Sequence, residues 1–289
     1  MKLLKDKLRK PSNKPFSCKF EFCGPIYKFE ELHFGGFMEI SYRYKRLIAV
    51  SESQVFIFDQ KSRELINIFE LSDAVAAVVD DECDYIYVVG EREDGFYVKK
   101  FDLGLFIQSK KQPEVALIWD TSPKSIKSPF GITLYNGKSK KYLIILDSTS
   151  SDLIILNCSN GGELNDFKLS LATTTANSIT MRTKNEMVVG AKQIEIYNID
   201  ESSGIPSLRF LYSVPNVKGF FYSVTFCPAS QYIITDSEND SFSVINRDTL
   251  QVVKYYKETE LLGDLFGMCY DKINGILYCC CRMGFYYYK

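Results

Sequence analysis

A short word recurs along the chain: a run of apolar or aromatic residues that ends in Asp or Asn. It reads VFIFD at Asp59, YVKKFD at Asp102, LIILN at Asn157, IEIYN at Asn198 and FSVIN at Asn246. The intervals are 43, 55, 41 and 48 residues, and a further 43 reaches Lys289, which follows GFYYY. Self-similarity at this period marks a repeat architecture, in which each unit buries its apolar face against its neighbours. Six units fit the 289-residue chain.

Other columns keep the same register. Each unit opens with a short apolar stretch: MEI at 38–40, VAA at 75–77, FGI at 130–132, NSI at 177–179, YSV at 222–224 and FGM at 266–268. Its central residue is Glu39, Ala76, Gly131, Ser178, Ser223 or Gly267, so only Glu39 is large. A second apolar strand follows (RLIAV, YIYVV, YLIIL, EMVVG, YIITD, ILYCC), then the Asx word, a polar turn and usually one more strand. Asp and Asn suit that turn because their side chains accept from backbone N–H groups just ahead. Helical periodicity is essentially absent. Four short strands per unit, set radially, predict an all-β, six-bladed β-propeller of four-stranded antiparallel blades. Its innermost strands converge on the axis, which explains the small central residues.

The blades are expected to start near 38, 75, 130, 177, 222 and 266, within a single domain spanning 15–289. The sixth unit stops after its third strand, so an N-terminal strand within 16–31 is expected to close the ring. The candidates are the alternating Phe16, Cys18, Phe20, Phe22 and the segment IYKFEEL at 26–32. Closure removes an exposed sheet edge. Residues 1–14, which hold Lys2, Lys5, Lys7, Arg9, Lys10 and Lys14, read as a basic, solvated tail.

Bulk properties narrow the function. Net charge is −1, which gives no case for nucleic acid or an anionic membrane as a partner. No run of about 18 apolar residues predicts a membrane span. The nine cysteines include no C-x-x-C pair, and no secretory signal precedes them, which predicts reduced thiols in a cytoplasmic protein.

The unit at 129–157 runs Pro129-Phe130-Gly131-Ile132, a polar turn, an apolar strand ending in Asp147-Ser148, a short loop and a second apolar strand. This pattern resembles the NHL repeat. The unit at 221–246 matches it, with Asp236-Ser237 in place of Asp147-Ser148, and the unit at 265–289 keeps Phe266-Gly267. The remaining units match by spacing alone. The single WD dipeptide, Trp119-Asp120, does not repeat, and Gly35-Gly36 and Gly161-Gly162 read as turns rather than kelch pairs. The resemblance implies a non-catalytic module that binds a protein or peptide on the loop face around the central channel. It further implies a ubiquitin-ligase substrate-recognition or scaffold component.

Two alternatives come with the same resemblance. Six-bladed lactonase and phosphotriesterase propellers hold calcium on the axis. A calcium-dependent hydrolase of that kind would draw on Glu39 and on Asn177 beside the small-residue column. Calcium needs six to eight oxygens, and these are two side chains. Single-stranded RNA binding, known for some NHL proteins, would draw on Lys138, Lys140 and Lys141 in the turn NGKSKKY. His33 is the only histidine, which excludes sites built from two or three. Cys279, Cys280 and Cys281 cannot share an ion, since successive strand residues face opposite ways. Asp147 and Asp152, five apart, invite a carboxylate-pair reading, but the repeat places them at either end of a blade turn.

Overall fold

The computed structural model describes residues 20–29, 36–51, 53–109, 113–150, 152–164, 169–171, 176–201, 206–214, 223–227, 232–237, 241–257 and 265–289. Its first strand, β1 (Phe22–Lys28), belongs to the last sheet. The chain then builds one sheet after another. Blade one is β2 (Phe37–Ser41), β3 (Arg46–Ser51), β4 (Gln54–Asp59) and β5 (Leu65–Glu70). Blade two is β6 (Ala74–Asp80), β7 (Tyr85–Arg92), β8 (Gly95–Asp102) and β9 (Leu117–Thr121). Blade three is β10 (Pro129–Asn136), β11 (Lys141–Asp147), β12 (Asp152–Asn157) and β13 (Leu169–Ser170). Blade four is β14 (Ala176–Met181), β15 (Glu186–Ala191), β16 (Ile194–Asp200) and β17 (Ser207–Ser213). Blade five is β18 (Val224–Cys227), β19 (Tyr232–Ser237), β20 (Ser241–Asn246) and β21 (Val252–Lys257). Blade six is β22 (Leu265–Asp271), β23 (Ile276–Cys281), β24 (Gly284–Tyr288) and, on its outside, β1.

Among the described residues these are six antiparallel four-stranded sheets. Their first strands touch in ring order, β2 to β6 to β10 to β14 to β18 to β22, and β22 meets β2 again. The core follows the same ring. One apolar cluster lies between each pair of consecutive blades, from Ile57 and Phe101 between blades one and two to Phe58 and Phe285 between blades six and one. The protein is therefore a β-propeller of four-stranded antiparallel blades.

Sequence dictates each strand's place. The second strands are covered by neighbouring blades on both faces, and β3, β7, β11, β15 and β23 are buried nearly throughout. A strand buried on both faces reads as an unbroken apolar run, here RLIAV or YLIIL. Outermost strands are the more exposed, and β9 alternates throughout between half-buried and exposed residues. Each buried Leu, Ile or Phe contributes about 1.5–3 kcal/mol. The successive Cys279, Cys280 and Cys281 split between two interblade clusters, as a pleated strand requires.

The ring closes where an N-terminal strand was expected. β1 pairs with β24 from Phe22↔Tyr288 to Lys28↔Gly284, and Glu21 and Lys289 exchange backbone hydrogen bonds of 3.0 and 3.1 Å. The closing strand overlaps both candidate segments. Phe16 and Cys18 lie outside the described residues, as do residues 1–14. Phe20 packs edge-on to Phe242, Tyr256 and Tyr288.

One unit departs from the pattern. Between β8 and β9 the chain inserts a six-residue helix, α1 (Leu103–Gln108), and a 3-10 turn at Pro113–Ala116. This insertion is the source of the 55-residue interval, and it adds the one short α-helix among the described residues to an otherwise all-β chain. Asp102, the Asx residue of that blade, caps the helix by accepting from Leu105 N at 2.8 Å. Phe106 anchors it, with ring centroids 5.1 Å from Phe69 and 5.0 Å from Phe101.

Candidate binding site in the axial channel

The inner strands crowd the axis. A Cβ on Gly131 of β10 would stand 3.2 Å from Ile179 N of β14, and one on Gly267 of β22 would stand 2.5 Å from Gly36 O. Small central residues are therefore a packing requirement. Four of these strands carry a β-bulge immediately before the small residue, at Val75, Phe130, Asn177 and Phe266. A bulge turns its strand locally and sharpens the twist.

A cavity of about 250 Å³ opens along the axis just beyond this constriction, with walls from all six inner strands. Glu39 reaches it from β2, and Val78, Thr133, Thr180, Thr225 and Cys269 reach it from the other five. These five lie two residues after the small column, on the same face of their strands. Ser178 and Ser223 lie deeper. Ser223 Oγ accepts from Met268 N at 3.0 Å and ties β18 to β22. Ser178 Oγ is buried without a hydrogen-bond partner. The lining continues to Tyr42 and Lys272, in the turns that leave β2 and β22.

Glu39 is the cavity's carboxyl group. It makes no hydrogen bond or ion pair among the described residues, and part of its surface stays open to the cavity although protein encloses it. Burial, and then the nearby charge of Asp81, push its pKa up to about 8. Asp81 itself is committed: its carboxylate accepts from Ser41 Oγ at 2.6 Å and from Tyr42 N at 2.6 Å, clamping blade two to blade one. Tyr42 Oη accepts from Lys272 N at 3.1 Å, and burial holds its phenol well above the ordinary range. Lys272 Nζ lies over the Tyr42 ring, 5.0 Å from its centroid.

The other candidates fall elsewhere. Asn177 is the unpaired bulge residue of β14 and does not line the cavity, so Glu39 and Asn177 are not brought together there. Among the described residues no group of three or more His, Cys, Asp and Glu stands close enough to hold a metal. Lys141 Nζ is taken up by Asp80, at 2.8 and 2.9 Å, and by Glu82, at 3.1 Å. Burial lowers its pKa, but those hydrogen bonds outweigh it and hold the ammonium above its ordinary value. Lys141 is thus a bridge from blade three to blade two, while Lys138 and Lys140 are exposed. Lys138 N donates to Glu201 Oε2 at 2.7 Å, a link to blade four. His33 lies outside the described residues. No helix among the described residues is long and apolar enough to cross a membrane.

Asp147 is fully buried and belongs to a turn. One carboxylate oxygen accepts from Thr149 N and Ser150 N, at 2.9 and 3.2 Å, and the other from Lys127 N and Ser128 N, at 2.6 and 3.3 Å. Asp152 begins β12 and is half-buried. Tyr42, Lys272 and the threonines were not singled out from sequence. The signal was present as a second column, Ser41, Val78, Thr133, Thr180, Thr225 and Cys269, which holds small or β-branched residues at the same register. No protein-family model matches the chain, and no curated protein matches it. The kind of protein is established by its fold, a β-propeller of four-stranded antiparallel blades with a polar cavity on its axis.

Proposed function

We propose that this six-bladed, NHL-like propeller is a non-catalytic interaction module that engages a protein or peptide at the mouth of its axial channel. A scaffold or substrate-recognition role is the setting in which such a module works. The observation that carries this reading is the unpartnered Glu39 carboxyl in a cavity whose lining continues through Tyr42 and Lys272 into the surface turns. Concave sites with apolar walls and a few convergent polar groups are the usual form of a recognition pocket.

The test is selection of a peptide-display library on the full chain. Enriched peptides are expected to lose binding to folded Tyr42→Ala and Glu39→Gln variants. Peptides that bind both variants as tightly as wild type would place recognition elsewhere and sink the proposal. The calcium-dependent hydrolase reading draws support from the same carboxyl. It takes precedence if millimolar calcium raises Tm by several degrees in wild type and not in Glu39→Gln.

A further inference from the structure

We infer that the axial cavity is a receptor for one primary ammonium group on an alkyl chain, such as a lysine side chain, with the Glu39 carboxylate as its counter-ion. This rests on the channel-mouth reading above and names the chemistry the partner presents.

The groups in the lining fit that ligand. An ammonium has three N–H donors and no acceptor, so it needs several converging oxygens. Glu39 offers a carboxyl with no donor of its own among the described residues, and Ser178 Oγ, on a residue 3% exposed, has no partner. Thr133, Thr180 and Thr225 add hydroxyls from three blades. Single hydroxyls spread over three blades around the carboxyl suit the three diverging donors of a compact ammonium, whereas a planar guanidinium holds its donors in one plane. Ile132, Ile179 and Met268 supply apolar wall for methylenes. A volume of about 250 Å³ exceeds that of a few waters, at about 30 Å³ each. The nearby charge of Asp81 disfavours an anion.

The groups around Glu39 leave it available. Asp81, from blade two, is held by Ser41 and Tyr42. Asp271, from blade six, accepts from Gln60 Nε2 at 2.8 Å and Asn274 Nδ2 at 2.7 Å. Cys269, beside it on β22, is a buried thiol whose pKa burial raises. Lys272, the cation in the lining, keeps its ammonium over the Tyr42 ring and makes no ion pair with Glu39. An empty cavity therefore holds Glu39 mostly protonated at neutral pH, and a bound cation displaces that proton into solvent.

Isothermal titration calorimetry of the full chain with n-butylammonium chloride tests this, with n-butanol and butyrate as controls and two buffers of different ionisation enthalpy. Butylammonium is expected to bind with release of nearly one proton at neutral pH. Its affinity is expected to rise about tenfold per pH unit below about pH 8. Folded Glu39→Gln is expected to lose at least about tenfold in affinity. Absence of butylammonium binding, equal binding of butanol, or full retention in Glu39→Gln each overturns the inference. Binding that emerges only in Lys272→Met also overturns it, because Lys272 is then the internal occupant. Channel-mouth peptides that lose binding when a lysine becomes norleucine assign the ammonium to a protein partner. Butylammonium binding without any mouth-directed peptide keeps the receptor and removes the interaction-module reading. Mouth-directed peptides indifferent to their lysines, with no butylammonium binding, do the reverse.

Discussion

Glu39 is weighted differently by the folded and unfolded chains. Its pKa rises from 4.5 to about 8 on folding, from burial first and the Asp81 charge second. Between those values the folded chain keeps a proton that the unfolded chain has released. Its stabilising contribution is therefore complete below pH 4.5 and is lost as pH climbs towards 8. Glu39→Gln removes this dependence. Thermal melts should show the variant more stable than wild type at pH 9 and nearly equal to it at pH 4, with roughly 2–4 °C for each kcal/mol recovered. Asp147 contributes through the backbone donors it gathers. Asp147→Ala strands four backbone N–H groups and should cost roughly 3 kcal/mol or more in chemical denaturation, whereas Asp152→Ala costs much less. Residues that serve turns were legible from sequence because their logic is local. Asp59 accepts from Lys61 N and Ser62 N at 3.0 and 2.9 Å, and Asn246 accepts from Asp248 N and Thr249 N at 2.9 Å each. Asn198 breaks the rule, since β16 runs on to Asp200 and pairs Asn198 with Arg209. Pairing with the next strand overrides the Asx preference there. Glu39 stood out as the large residue in a column of small ones, but its partners in the cavity come from other blades, and no local spacing connects them.

At the scale of elements, the strands were readable and the insertion was not. Strands announce themselves by repetition, and one blade's register supports the next. A helix of six residues offers less than two turns, too little for a periodicity to register. The insertion showed only as a long interval. It is nevertheless well anchored: Asn67 Nδ2 of β5 donates to Ser109 O beyond the helix, and Phe106 is fully buried. Phe106→Ala should cost about 3–5 kcal/mol by the cavity it leaves. Asp102→Ala, which removes only the cap, should cost about 1 kcal/mol. Equal losses from the two in denaturant titrations would show that the helix is held by its cap and not by its anchor.

The whole molecule depends on one seam. Among the described residues, five blades are built from consecutive strands and only blade six joins distant parts of the chain. Gly284, at φ +146°, makes that join possible, because a Cβ there would collide with Tyr27 O on β1. Gly284→Ala should lower Tm and expose the edge of β24, which an aggregation assay at raised temperature would detect. Sequence showed that a strand was missing from the last unit and roughly where its replacement lay. The register could not be read, because β1 bears bulges on both sides of the Gly24-Pro25 step and does not alternate cleanly against β24.

That seam also orders events in time. β1 meets its partner only after nearly all the intervening chain has been organised, so its docking carries the largest loop-closure entropy in the molecule. Blades one to five can each assemble from neighbours in sequence, while β1 waits unpaired and β24 keeps an open, tyrosine-rich edge. A rearranged chain that carries residues 20–29 after Lys289, joined through a short Gly-rich linker, would turn this last, distant step into a local hairpin. Stopped-flow refolding should find it faster to its final state than the natural order, with similar stability once closed.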